Sequence, residues 1–354
     1  MRVIAHNGAH IWGGAERATV LLLRGLSDRG HDVMLLCNDP LVKSEAEALA
    51  VPAEICAVGG DIALPHALQL ARRLKLYRPD AFIIGTWKKL FLASLGARIA
   101  RVRRVVARVG LETDTPRSAK YRFALRHWVD AVAVNAERMI PPFAALDGFG
   151  QKKVVLIHNG VRRPGLANSG VEIRDRLGLS ADTFVAGFVG RLAPQKRLDR
   201  LLQAIALTDA SVHCVVAGDG EERSALVADA HRLGISGRMH FLGHQEDISS
   251  FLQSLDVFVI SSDREGLSNS MLEAMAVGLP VISTRVSGAS DALEGDESAG
   301  IIVGFDPAAI AAAIEQLKRD PATRSEMGRA ARQRAESTFS FNGMLDRWEA
   351  FLSA

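Results

Sequence analysis

The sequence predicts an α/β protein made of two doubly wound parallel-sheet domains, and three observations carry that prediction. Short apolar runs alternate with helix-forming segments from residue 2 to about 160, and such alternation joins parallel strands by crossover helices. The alternation then stops across residues 162 to 181, which are rich in Gly, Arg and polar side chains, and restarts at Thr183. Finally, 354 residues are long for one hydrophobic core and comfortable for two.

Taken in order, Arg2 to His6 is a first strand and Asn7 to Gly14 a loop ending in Gly13 and Gly14. A helix over 15 to 29 and a strand over 30 to 37 complete a βαβ unit. Its loop lies at a strand's carboxyl end, where open α/β sheets bind ligands. Helices over 63 to 77 and 90 to 100 alternate with strands over 81 to 85, 104 to 108, 130 to 135 and 153 to 158. The turn His158 to Val161 closes this series. The second series has strands over 183 to 190, 211 to 217, 239 to 243, 255 to 260, 281 to 284 and 299 to 303. A short helix covers 249 to 255, and 287 to 289 reads as a loop. Helices over about 307 to 319 and 321 to 337 precede a last helix near the C-terminus.

Composition, with 48% apolar and 23% charged residues, is that of a soluble globular protein. No apolar run approaches the ~20 residues of a membrane span and the N-terminus carries no secretory core, so a cytoplasmic protein is expected. The three cysteines, Cys37, Cys56 and Cys214, are far apart and lack a Cys-x-x-Cys pattern, which points to neither disulfides nor zinc. Charge is uneven. Residues 1 to 165 hold 25 Lys and Arg against 14 Asp and Glu, and 72 to 126 hold 15 against 3. Such a face attracts anionic partners.

The stretch from Asp263 to Pro280 carries the chemistry. It sets Glu265 and Glu273 eight residues apart across a loop and a helix start. Ser268 is a plausible N-cap, and Gly278 with Pro280 closes the helix. Asn269 and Ser270 then occupy a first turn, where peptide dipoles favour an anion such as phosphate. Glu273, one turn in, suits a pair of vicinal hydroxyls, as on a ribose. Earlier, a strand delivers Gly190, then Arg191, with Lys196 five residues on. Two cations at a sheet's carboxyl edge suit a diphosphate. Residues 218 to 223 imitate a dinucleotide-binding Gly-x-Gly-x-x-Gly but place Arg223 at the third glycine, so a nicotinamide oxidoreductase is disfavoured.

With its preceding strand, the pattern Glu265-Gly-x6-Glu273-Ala-Met-Ala-x-Gly-x-Pro-Val-Ile resembles the Glu-x7-Glu signature of retaining glycosyltransferases of family 4. These have the GT-B fold, two Rossmann-like domains facing across a cleft. The segment from Gly190 to Lys196 resembles the family's Gly-Arg-Leu-x-x-x-Lys-Gly motif, with Arg197 replacing the final glycine. His158 to Val161 resembles the turn closing the N-terminal domain, with Arg162 where Asp is usual.

The resemblance implies an acceptor-binding domain over 1 to 163 and a nucleotide-sugar domain over 164 to 339. A helix over about 340 to 354 would pack back onto the first domain. Gly13 and Gly14 would face the donor diphosphate, with Gly190 and Gly218 beside the nucleotide and Gly243 and Gln245 near its base. Gly266, Leu267, Ser268, Asn269 and Ser270 would line the donor. Glu265 would contact donor-sugar hydroxyls and Glu273 the ribose. Many relatives carry a His soon after the strand over 104 to 108. Here that segment offers Arg108, Glu112 and Asp114 as acceptor-side candidates instead.

The implied reaction is a retaining, metal-independent transfer of a sugar from a UDP-, GDP- or ADP-sugar. Arg191, Lys196 and the amides at 269 and 270 would stabilise the departing diphosphate, with no metal and no other cofactor. The basic first domain implies an anionic glycan or lipid-linked acceptor in cell-envelope polysaccharide or lipopolysaccharide synthesis. Peripheral contact with the inner face of an anionic membrane is then expected, and no nucleic acid partner. The non-catalytic alternative is a protein that uses the same basic face to bind polyanions or nucleic acid.

Overall fold

The computed structural model describes all residues except 60–62, 147, 148, 150–152, 164, 166–169, 296, 297 and 354. Residue 164, where the second domain was expected to start, and 166–169, within the stretch 162 to 181 read from the sequence as the linker between the two series, lie outside the described residues, as does Ala354. The chain divides into two compact units, Met1–His158 with Met344–Ala354, and Asn159–Gly343.

In the first unit the strands are β1 (Arg2–Asn7), β2 (Asp32–Cys37), β3 (Ala53–Ile55), β4 (Ala81–Ile84), β5 (Arg104–Val109), β6 (Ala131–Val134) and β7 (Val154–Leu156). All pair in parallel, in the order β3-β2-β1-β4-β5-β6-β7. Val3 sits opposite both Val33 and Ala81. Strands such as Ala81–Ile84 are buried throughout, because helices cover both faces and no alternation with polar residues is needed. β3 and the helices Pro40–Ala48, Ala119–His127 and Gly170–Arg176 are too short for the sequence to show a period; the last of them lies in the stretch 162 to 181 where no element was expected.

The second unit contains β8 (Phe184–Val189), β9 (Val212–Ala217), β10 (Met239–Gly243), β11 (Val257–Ile260), β12 (Val281–Thr284) and β13 (Gly300–Val303). They form a parallel sheet ordered β10-β9-β8-β11-β12-β13. Two buried clusters cover its faces, one around Leu201, Ile205 and Ile314, the other around Phe251, Met271 and Phe339. The α/β prediction of two doubly wound parallel sheets therefore holds. Both orders reverse once, between β1 and β4 and between β8 and β11, and ligand crevices of such sheets form at that point.

Helix starts follow from local chemistry. Asp39, Asp306 and Asp320 each accept an amide hydrogen bond from the first turn, and a proline follows each of them. Proline fits there because a first-turn amide has no helical partner to lose. The last helix, Phe341–Ser353, meets the first unit through Arg29, which donates to Asp346 at 2.7 Å and Glu349 at 2.5 Å. His31 Nε2 lies 2.6 Å from Glu349, and Arg104 lies over the Phe351 ring. Among the described residues no helix is long and apolar enough to cross a membrane.

Candidate active site

In the second unit the predicted residues gather at the carboxyl ends of four adjacent strands, β10, β9, β8 and β11. After β8, Gly190 donates its amide to Ala217 at 3.0 Å, and a tight turn over Pro194–Lys196 leads into the helix Leu198–Leu207. Gly218 follows β9 at φ +133°, and a Cβ there would come within 1.9 Å of the Gly190 carbonyl oxygen. Glycine is required by that approach. Its amide donates to Gly243 at the end of β10 at 2.7 Å, and Gln245 folds back to donate to the Leu242 and His244 carbonyls. The glycines of the apparent dinucleotide motif thus serve contact between strand ends, and Arg223 pairs with Asp219.

Lys196 and Glu265, 69 residues apart in sequence, form an ion pair of 2.5 Å whose side chains are only 18% and 9% exposed. The Ser262 hydroxyl donates to the same carboxylate oxygen at 2.8 Å. Around the pair, backbone and side chains join the turn after β8 to the loop after β11. The Ser261 hydroxyl donates to the Lys196 carbonyl at 2.9 Å, and the Asp263 amide to Gln195 at 3.0 Å. Arg200 donates to the Ser261 carbonyl at 2.6 Å and to Asp263 at 2.7 Å. Arg197 stands at φ +51°, the left-handed region that a glycine would occupy without strain. Its fork is held by Asp199 and Asp263. Those two carboxylates raise the Arg197 pKa, Asp199 most. Burial alone would raise Asp263, but Arg200 and Arg197 outweigh it and hold the carboxyl low. Arg191 is exposed, 3.8 Å from Glu221.

The loop Gly266 to Ser268 is fixed from three sides. Asn159 donates to the Leu267 carbonyl at 2.8 Å, and the Gly288 amide donates to Gly266 at 3.2 Å. Gly288 lies so close that a Cβ would meet the Leu267 Cα at 2.5 Å. Residues 287 to 289, read as a loop, are the first turn of the helix Ser287–Leu293. Thr284 donates to the Ser262 carbonyl at 2.6 Å. Ser268 caps the helix Asn269–Ala276 as expected, its hydroxyl accepting from the Met271 amide at 3.4 Å and lying 3.0 Å from the Ser270 hydroxyl. Asn269, Ser270 and Glu273 are half-buried in its first turns.

In the first unit, Gly13 adopts extended backbone and caps the helix Gly14–Asp28. Arg108, near the end of β5, donates to the Thr19 hydroxyl at 3.1 Å, and burial lowers its pKa to about 10. Glu112 and Asp114 are half-buried in the following loop. Burial pushes the Asp114 carboxyl up to about 6 against the opposing charge of Lys88. His6, in β1, is wholly buried with Nε2 3.3 Å from the Cys56 carbonyl, and burial lowers its pKa to about 4. His10 instead meets Asp39 at 3.2 Å at the surface. Among the described residues, five buried polar atoms of this unit have no hydrogen-bond partner, namely Arg104 Nε at the start of β5 and, nearer the carboxyl ends of the strands, His6 Nδ1, Thr115 Oγ1, Ser118 Oγ and Asn135 Oδ1.

A family model described as glycosyl transferases group 1 matches residues 171–334, and one described as Glycosyltransferase Family 4 matches residues 12–163. The chain belongs to the family 4, group 1 glycosyltransferases. A capsular polysaccharide biosynthesis glycosyltransferase of Staphylococcus aureus, CapM, is 29% identical over 310 residues, covering 81% of each chain. A lipopolysaccharide core biosynthesis glycosyltransferase of Rhizobium meliloti, LpsE, is 35% identical over 181 residues, or 51% of this chain. The chain spans about half of that relative, 53% of its length. Among solved structures, Anabaena HepE in complex with UDP-glucose superposes with a TM-score of 0.87 at 22% identity, covering 100% of this chain and 99% of that one.

Within this family setting, several residues around the pair went unread in the sequence. Ser262, Asp263 and Arg200 hold the glutamate loop, and Asn159 reaches it from 108 positions away. Asp263 was legible only as the start of the motif. Arg200 belongs to no motif in the sequence, and no local pattern marks a contact as long as that of Asn159 with Leu267.

Proposed function

We propose that the protein is a retaining glycosyltransferase moving a sugar from a nucleoside-diphosphate sugar to a hydroxyl of a glycan or lipid-linked acceptor. Its place is cell-envelope polysaccharide or lipopolysaccharide synthesis, in the cytoplasm at the inner face of the membrane. The observation that carries this reading is the Lys196–Glu265 pair at the reversal point of the second sheet. A cation fixed there meets the negative charge that develops as a nucleoside diphosphate leaves, and Arg191 adds a second. Two fixed cations meet that charge as a divalent metal ion otherwise would, so the reading includes no metal. The start of the helix Asn269–Ala276 offers its dipole to the phosphates, while Glu265 and Glu273 take sugar and ribose hydroxyls.

Support for the donor class comes from the relative solved with UDP-glucose. Support for the pathway comes from the capsule and lipopolysaccharide relatives. Arg108, Glu112 and Asp114 serve the acceptor side in the first unit, whose charge fits an anionic acceptor.

The test has two parts. A thermal-shift panel of nucleoside diphosphates and their sugars should show one nucleotide raising the melting temperature, since a ligand of the folded form stabilises it. Proton NMR of the product should then show the donor's anomeric configuration kept, with turnover unchanged by EDTA. Inversion refutes the retaining assignment, and loss of turnover in EDTA refutes the metal-free one.

A further inference from the structure

We propose that Arg197 and Asp263 are positioning residues for sugar transfer, which together lock the turn that carries Lys196 onto the loop that carries Glu265. This rests on the function proposed above for Lys196 and Glu265, and concerns what holds that pair in place. The turn and the loop leave the ends of neighbouring strands, β8 and β11. Two hydrogen bonds join them through the backbone, the Ser261 hydroxyl to the Lys196 carbonyl at 2.9 Å and the Asp263 amide to the Gln195 carbonyl at 3.0 Å. Each is a neutral contact of modest net strength, and the flexible four-carbon stem of a lysine does not fix its own ammonium.

The stronger tie is a quartet of two arginines and two aspartates. Arg197 places Nε and Nη2 on the two Asp199 oxygens, both at 2.9 Å, and Nη1 on Asp263 at 3.1 Å. Asp263 also accepts from Arg200 at 2.7 Å. The Arg200 side chain, only 6% exposed, donates in turn to the Ser261 carbonyl at 2.6 Å. Side chains from the helix start after the turn thus grip the loop at Ser261 and Asp263, the latter two residues before Glu265.

Three features mark this as a device for position. All three Arg197 nitrogens are committed to carboxylates, so the side chain is not a ligand for donor phosphates. The quartet carries no net charge, so it adds little field where Lys196 acts. Its backbone is the third feature. At φ +51° Arg197 occupies a region that costs a residue with a Cβ and costs glycine nothing. Glycine would make the same turn with less strain but could not reach Asp263. The contact matters because a cation meeting charge on a leaving group must be in place beforehand, and about 1 Å of misplacement costs on the order of 10²-fold in rate.

Two variants and their combination test it. Arg197→Gly relieves the backbone and removes the tie, so its melting temperature should stay within ~2 °C of wild type while kcat for sugar transfer falls roughly tenfold. In the unliganded protein its Asp263 amide should exchange with solvent about tenfold faster, and the Phe258 amide, bonded to the Pro280 carbonyl at 3.1 Å, at the wild-type rate. Asp263→Asn should lower kcat by a similar factor. The double variant should lose no more than the worse of the two, since both break one link. The single variants change local charge in opposite directions, so an effect through the field would shift the donor KM oppositely. Loss of position lowers kcat in both and leaves that KM within about twofold. Wild-type kcat or unchanged Asp263 exchange in Arg197→Gly, additive losses in the double variant, or opposite shifts in donor KM would each overturn the proposal. A wild-type chain that transfers no sugar would refute the function proposed above, whereas an active wild type with an indifferent Arg197→Gly refutes this inference alone.

Discussion

The two sheets end in opposite chemical states. At the carboxyl edge of the second, the polar groups around Glu265 are already paired, Lys196 and Ser262 on Glu265, and Arg197 and Arg200 on Asp263. In the first unit, His6, Thr115, Ser118 and Asn135 each keep a buried polar atom without a partner, and Asp114 sits where burial favours its neutral form. A paired and rigid edge suits the stabilisation of charge, because nothing has to reorganise when that charge appears. An edge with unmet hydrogen-bonding capacity suits a ligand that brings hydroxyls. On this comparison, the function proposed above would give the leaving group to the second unit and the hydroxyl-rich acceptor to the first.

The largest expected effect comes from breaking the pair. Lys196→Ala leaves the Glu265 carboxylate buried without its cation, which should cost about 3–5 kcal/mol of stability along with the activity. Denaturant unfolding measures the first and sugar transfer the second. Lys196→Met with Glu265→Met should recover to within ~1 kcal/mol of wild type and stay inactive, separating the structural role of the pair from its chemical one. A loss below ~1 kcal/mol in the single variant would show that the edge is not pre-paired, and the contrast between the units would fail.

Next in size is Gly218→Ala. The added methyl would press on the Gly190 carbonyl, a backbone atom that cannot rotate away, at a φ of +133°. We expect a loss of roughly 2–4 kcal/mol and weaker nucleotide binding, since the ends of β8 and β9 must separate. Equal stability with unchanged binding would mean that the close approach is dispensable.

Much of this was legible in the sequence because the fold writes itself in alternation and the motifs sit at strand ends. Gly190, Lys196, Gly218, Gly243 and Glu265 each follow an apolar run by a few residues, so locating the strands located the site. Arg197 was visible as a departure from a glycine, but its left-handed backbone and its hold on Asp263 were not. Asn159 reaching Leu267 and Gly288 pressing on the glutamate loop were hidden as well, since contacts between distant segments leave no local period. In the first unit the charge pattern marked a basic face.

A smaller effect tests the first unit. The Asp114 carboxyl keeps its proton up to about pH 6, against an ordinary value of 3.8. Between those values the folded state binds more protons than the unfolded one, so stability falls as pH rises through that window and the penalty is complete above it. Asp114→Asn removes the ionisation and should stabilise the protein by about 1–3 kcal/mol at pH 7, with little change near pH 4. Melting temperatures of both proteins across pH 4 to 8 check it. Parallel curves would show that Asp114 is solvated, which would weaken its place among the acceptor-side candidates.

The smallest effect is the sharpest test of the unpaired edge. Asn135 is 5% exposed and its Oδ1 has no partner. Replacing a buried unpaired polar group by an apolar one of similar shape is neutral or favourable, so Asn135→Leu should leave the unliganded protein equally stable or up to ~1 kcal/mol more so. If an acceptor hydroxyl normally donates to that oxygen, the same variant should raise the acceptor KM about tenfold and leave the donor KM alone. A purely structural asparagine would move stability downward and both constants together. The divergence of apo stability and acceptor affinity is thus what distinguishes an edge kept open for a ligand from one that is merely imperfectly packed.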